Sequence, residues 1–210
     1  MKDVTQLLIY AAAGGLVIFL GSRVLAGFHQ DIPPGARKVA CLGDSLTASG
    51  IYAKQLKQYL PPGSITKSYG YVGKGSGYVY NKLSKVLAWE PTDIVILAGV
   101  NDLPHAGGSA TVIKNLEKMY AEAHVAGVRV VAVQLTPWLC YHNTNPNGTF
   151  VVNNWIENDS TADAVVSTWN LADAEYCLLN EYDGGDGLHL NKAGQHVLAQ
   201  TIADQAFDWR

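Results

Sequence analysis

Residues 38–50 read KVACLGDSLTASG, and the two halves of this stretch obey different rules. Val39, Ala40, Cys41 and Leu42 form an unbroken apolar run, as a strand covered on both faces does. Gly43-Asp44-Ser45-Leu46 is turn and cap chemistry, with a helix expected just beyond and Gly43 allowing the tight turn. A serine at such a strand-to-helix turn stands at the mouth of a sheet, its hydroxyl exposed beside backbone N–H groups. Asp44 or Ser45 acting only as a helix cap is the plain alternative for these four residues taken alone.

Outward from this stretch, short apolar runs alternate with longer helical patterns, which is the signature of βαβ units and a parallel sheet. Strands are expected at 38–42, 65–71, 94–98, 129–135 and 164–168. Helices are expected at 49–59, 77–88, 110–126, 153–158 and 192–207. Ile94–Ala98 (IVILA) is apolar throughout, as a central strand should be. The expected architecture is α/β, a three-layer α/β/α sandwich, with its chemistry at the carboxyl ends of the strands.

Two further stretches fall at such ends. Gly99-Val100-Asn101-Asp102 follows IVILA directly. An asparagine there can aim its amide N–H at an oxyanion forming near Ser45, or it can simply end the strand in an Asx-turn. Asp186-Gly187-Leu188-His189 precedes the last helix. That spacing can set a carboxylate on one imidazole nitrogen while the other faces the serine, although a capping role would also account for it.

The 210-residue chain is 48% apolar and 16% charged, which suits one buried core plus an extra N-terminal element. A net charge of −3 without a long basic run argues against nucleic acid as a partner. Residues 4–22 carry no charge, close to the ~20 residues of a membrane-spanning helix. Length and hydropathy favour a retained signal anchor. A cleaved signal peptide, with small residues Val24 and Ala26 near the cut, and an apolar helix packed through Gly14 and Gly15 remain open. The expected divisions are an apolar helix at 1–25, a linker at 26–36 and a catalytic domain at 37–210. Membrane anchoring or export to the cell envelope follows from the first of these. The three cysteines show no CxxC spacing, and a Cys140–Cys177 bridge would suit an exported domain. His105, His124, His142 and His196 lack metal-ligand spacing. Lys74 is followed by glycine, so the glycine-rich stretch 70–77 is not a phosphate loop.

Taken together and in chain order, GDSL (43–46), GVND (99–102) and DGLH (186–189) make residues 38–206 resemble the SGNH hydrolases, the GDSL esterase/lipase superfamily. The resemblance implies a flavodoxin-like fold with a five-stranded parallel sheet and a serine ester hydrolase without metal or organic cofactor. It assigns Ser45 as nucleophile, His189 as general base and Asp186 as the group orienting it. It places the oxyanion hole at the Ser45 backbone N–H, the Gly73 backbone N–H (Gly75 in reserve) and the Asn101 amide. The family often has an asparagine shortly before that glycine, where Ser68 and Tyr69 stand here. Trp138 and Tyr141, in the aromatic loop after the fourth strand, are candidate substrate contacts. The family's substrates include acetylated carbohydrates, lysophospholipids, thioesters and aryl esters. The short gaps between blocks lean toward a small acyl group on an accessible carbohydrate or lipid. A catalytically silent binding protein in a membrane assembly is the alternative.

Overall fold

A computed structural model describes residues 32–142 and 144–207, together with the backbone of Ala11–Ala12 and Gly15–Leu16, which pair antiparallel. The chain divides into two units, residues 1–31 and 32–210. Apart from that short ladder, the expected apolar helix at 1–25, the membrane segment at 4–22 and most of the linker at 26–36 lie outside the described residues. Among the described residues no helix is long and apolar enough to cross a membrane.

In the second unit, β1 (Lys38–Gly43), β2 (Ile65–Gly70), β3 (Asp93–Leu97), β4 (Arg129–Val133) and β5 (Ala164–Val166) form one parallel sheet in the order β2-β1-β3-β4-β5. β1 and β3 are buried along their whole length, and past their first residues, Lys38 and Asp93, both read as apolar runs. Each fully buried aliphatic side chain, such as Val39, Ile94 or Val130, contributes about 1.5–3 kcal/mol relative to exposure. β2 is an edge strand and partly exposed, so its pattern is mixed. Strand order reverses at β1. The loops leaving β1 and β3 therefore diverge to opposite faces and open a crevice at their carboxyl ends.

Helices flank the sheet. α1 (Ser45–Ala48) and α2 (Ile51–Leu56) follow β1, separated by Gly50 at φ +68°, and a 3-10 turn at Lys57–Tyr59 ends the segment. The helix expected at 77–88 is two short ones, α3 (Ser76–Tyr80) and α4 (Leu83–Leu87), parted at Asn81-Lys82 where Lys82 N–H bonds back to Val79 O. α5 (Gly108–Val125) turns Val112, Leu116, Met119, Tyr120 and Ala123 inward at helical spacing. α6 (Pro146–Asn158) starts seven residues earlier than expected. Asn145 caps it by accepting from Gly148 N–H, and Pro146 takes the first turn, where a missing N–H costs nothing. α7 (Lys192–Ala206) packs against α2, and α5 lies between α3 and α6.

The β1 end is closed by a steric fit rather than by a special backbone angle. A Cβ on Gly43 would overlap the Leu97 carbonyl oxygen and the Thr47 hydroxyl. Gly43→Ala is expected to cost ~3 kcal/mol, at the upper end of overpacking effects, because one obstacle is backbone. Gly127→Ala, at φ +72° with open space around it, should cost only ~1–2 kcal/mol. Urea denaturation of both variants checks this, and equal losses would contradict it.

Candidate active site

The crevice at the carboxyl ends of β1 and β3 collects Ser45, the 71–76 loop, Asn101 and the loop bearing Asp186 and His189. Ser45 opens α1, whose cap is Asp44: its Oδ1 accepts from Leu46 N–H at 3.0 Å. Thr47 Oγ1 meets Tyr52 Oη at 3.0 Å, fastening α1 to α2. Gln195 reaches over from α7, accepting from Tyr52 N–H and donating to Leu46 O. In the sequence this buried glutamine reads as one polar residue on an otherwise ordinary helix.

His189 Nε2 lies 2.9 Å from Ser45 Oγ, and His189 Nδ1 lies 2.7 Å from Asp186 Oδ2. An imidazole that donates Nδ1–H to Asp186 leaves Nε2 free to accept from the serine hydroxyl. Asp186 Oδ1 also accepts from the backbone N–H groups of Leu188 and His189. Partial burial pushes the Asp186 carboxyl up, but the His189 ring and these two N–H groups outweigh it and hold the pKa below the ordinary value. A second carboxylate, Asp183, gathers the N–H groups of Gly185, Asp186 and Gly187. It shapes the loop without touching the imidazole. Its signal was the glycine-dense spacing DGGDG, typical of Asx-type turns.

On the other side, Tyr71 N–H donates to the carbonyls of Gly43 and Asp44, tying the glycine loop to the serine turn. Lys74 N–H bonds to Tyr71 O across a turn in which Gly73 sits at φ +66°, exposed and with open space where a side chain would be. Gly75 faces inward instead: a Cβ there would lie 2.8 Å from Asp102 Oδ1. Asn101 Nδ2 donates to Lys74 O at 3.2 Å, which docks the asparagine onto this loop. Asp102 completes the junction by accepting from Ser76 N–H and Oγ. Asn145 Nδ2, from the α6 cap, holds the same region through Leu103 O.

Ser45, His189 and Asp186 are thus joined directly, and Asn101 and the loop bearing Gly73 are attached to the serine turn through Lys74 O and Tyr71 N–H. Trp138 does not join them. It is buried, its Nε1–H donating to Thr149 Oγ1 at 2.8 Å, so the expected substrate contact is a core residue that fixes α6. Tyr141 is half-buried, and its backbone lies against Gly187 of the histidine loop. Cys140 and Cys177 are disulfide-bonded across 37 residues, and Cys41 is a buried free thiol. Among the described residues no His, Cys, Asp and Glu side chains cluster as a metal site.

A model of the GDSL-like lipase/acylhydrolase family matches residues 41–197. No curated protein matches the chain. Among solved structures, a protein assigned to the G-D-S-L lipolytic family from Desulfitobacterium hafniense is 17% identical and superposes with a TM-score of 0.68, over 80% of this chain and 98% of its own. The psychrotrophic esterase EstA from Pseudoalteromonas sp. is 18% identical (TM-score 0.63, 82% and 97% covered). An acetyl xylan esterase is 15% identical (TM-score 0.63, 80% and 98% covered). At these identities the likeness is one of fold.

Asp44 is fully buried, and its Oδ2 has no hydrogen-bond partner. Burial raises its pKa from 3.8 to about 7, against the pull of the Leu46 and Gly99 N–H groups and of His189. A carboxyl raised this way adds stability that is present below about pH 4 and lost as pH climbs toward 7. Relative to Asp44→Asn, the wild type should therefore lose stability between pH 4 and 7 and run parallel above that range. Urea denaturation of both proteins at several pH values measures the difference, and parallel curves throughout would contradict it.

Proposed function

The chain belongs to the GDSL-like lipase/acylhydrolase family, and from that premise we propose that it is a serine hydrolase of carboxylic esters acting through Ser45, His189 and Asp186. The observation that carries this reading is the continuous chain from Ser45 Oγ to His189 Nε2 and from His189 Nδ1 to Asp186 Oδ2. His189 takes the Ser45 proton as the hydroxyl oxygen attacks the ester carbonyl. Asp186 holds the ring in the accepting tautomer and stabilises the imidazolium that forms. The backbone N–H groups of Ser45 and Gly73 and the Asn101 amide receive the developing oxyanion. One Asn101 N–H is engaged by Lys74 O, which fixes the amide plane and leaves its second N–H for this role. His189 then protonates the leaving alcohol, and water repeats the cycle on the acyl-enzyme. No step calls for a metal or organic cofactor.

The acyl group is short, an acetyl or similar group on a carbohydrate or small lipid. The segments joining the site loops leave little room for a large lid, and a similarly folded protein is an acetyl xylan esterase. Residues 4–22 tether the enzyme to a membrane of the cell envelope, or direct its export. The Cys140–Cys177 bridge supports an oxidising compartment, where such bonds persist.

The full-length protein is expected to hydrolyse p-nitrophenyl acetate and butyrate faster than the octanoate, with Ser45→Ala lowering turnover about 10⁶-fold and forming no acyl-enzyme. Asn101→Ala should lower kcat about 100- to 1,000-fold through loss of one oxyanion donor. Asp186→Asn should lower it about 10⁴-fold by admitting the wrong imidazole tautomer. Activity unaffected by Ser45→Ala would refute the mechanism. Absence of activity toward every ester, in a folded protein, would favour a catalytically silent binding protein.

A further inference from the structure

Beside the oxyanion wall lies a cationic and aromatic patch that ester hydrolysis as such does not use. Tyr71 and Tyr78 meet edge to face, with ring centres 5.5 Å apart. Lys74 Nζ lies 5.2 Å and Lys82 Nζ 4.8 Å from the centre of the Tyr78 ring. Two ammonium groups are therefore gathered around one aromatic ring instead of being dispersed over the surface. Among the described residues the ion pairs involve Arg37, Arg129, His124 and His189, and none involves either lysine. The carboxylate of this region, Asp102, is directed onto Ser76 N–H and Oγ.

The patch is joined to the reacting centre through the backbone of its loop. Lys74 follows Gly73 in the chain, and its carbonyl receives the Asn101 amide. Tyr71 N–H bonds to the carbonyl of Asp44, one residue before Ser45. Lys82 also faces the Tyr71 hydroxyl, where its charge opposes the upward pull of burial on the pKa. A ring beneath an ammonium group narrows where that group can be while leaving its outward N–H donors unmet. Two such cations, neither of them in an ion pair among the described residues, raise the local concentration of anions.

We propose that Lys74, Lys82 and the Tyr71–Tyr78 pair form a subsite for a carboxylate carried by the substrate, so that the preferred ester is an acylated acidic molecule. Two ammonium groups beside one ring supply positive charge and N–H donors for a carboxylate, and the tyrosine rings offer apolar surface to the carbon skeleton that carries it. This specificity rests on the esterase reading above and extends it to a substrate class.

The test compares kcat/KM of the full-length protein on two matched pairs of esters. One pair is 4-acetoxybenzoate and its methyl ester, with the charge on the alcohol side. The other is the p-nitrophenyl ester of glutarate, as the free acid and as the methyl ester, with the charge on the acyl side. The charged-to-neutral ratio in at least one pair should fall about tenfold, mainly through KM, in Lys74→Gln/Lys82→Gln, as two weak exposed charge contacts together predict. Lys57→Gln, which removes a charge from the turn after α2, should keep the wild-type ratio. Equal ratios in wild type and the double variant for both pairs, with Ser45-dependent hydrolysis intact, would overturn the subsite alone. No Ser45-dependent hydrolysis of any of the four esters would overturn the esterase reading and the subsite with it.

Discussion

The hydrogen bond between Ser45 Oγ and His189 Nε2 joins residues 144 positions apart, and much of the polar architecture at this end of the sheet serves to keep its two ends in place. The serine end is fixed by the buried cap Asp44, by Thr47 against Tyr52, and by Gln195 reaching across from α7. The histidine end is fixed by Asp186 on the ring and by Asp183 beneath the loop. Asn191, which caps α7, also donates to the carbonyls of Glu181 and Asp183. α7 is thus bound both to the serine turn, through Gln195, and to the histidine loop, through Asn191. One helix sets the distance between the two reacting groups.

The sheet carries two fully buried aspartates, one at each end, and they are accommodated differently. Asp93, at the amino end of β3, receives Arg37 and Arg129 at 3.2 Å and the Thr92 hydroxyl, so its charge is compensated where it lies. Asp44, at the carboxyl end of β1, has backbone donors but no ion pair with a lysine or arginine, and burial pushes its pKa to about 7. A compensated carboxylate locks the inert end of the sheet. At the other end burial disfavours the charged form of the Asp44 carboxyl, the residue next to the serine in the chain.

The fold was readable because its central strands announce themselves: VACL (39–42) and IVILA (94–98) are apolar without interruption because both faces are covered. Ser45, Asn101, Asp186 and His189 stand out in the sequence as candidates because each follows a strand or precedes a helix in a short, chemically distinctive block. What escaped notice did so for physical reasons. The start of α6 was hidden by NTNPNGT, whose proline, glycine and asparagines read as a loop although Asn145 and Pro146 are cap and first-turn residues. Trp138 looked like a pocket wall because an aromatic residue in a loop carries no mark of burial, and only Thr149, eleven residues on, shows where its indole N–H goes. Asp183 and Gln195 act through contacts their sequence neighbours do not reveal. Lys74 and Lys82, eight residues apart, become a pair only through the ring of Tyr78.

The central claim is that the Ser45 hydroxyl is activated by His189 as a nucleophile. Intact mass spectrometry after reaction with a fluorophosphonate, followed by peptide mapping, tests it most directly. The account predicts one adduct per chain, located on Ser45, formed at least 100-fold more slowly in His189→Ala. A folded wild-type protein left unlabelled, or labelled on another residue, would contradict it.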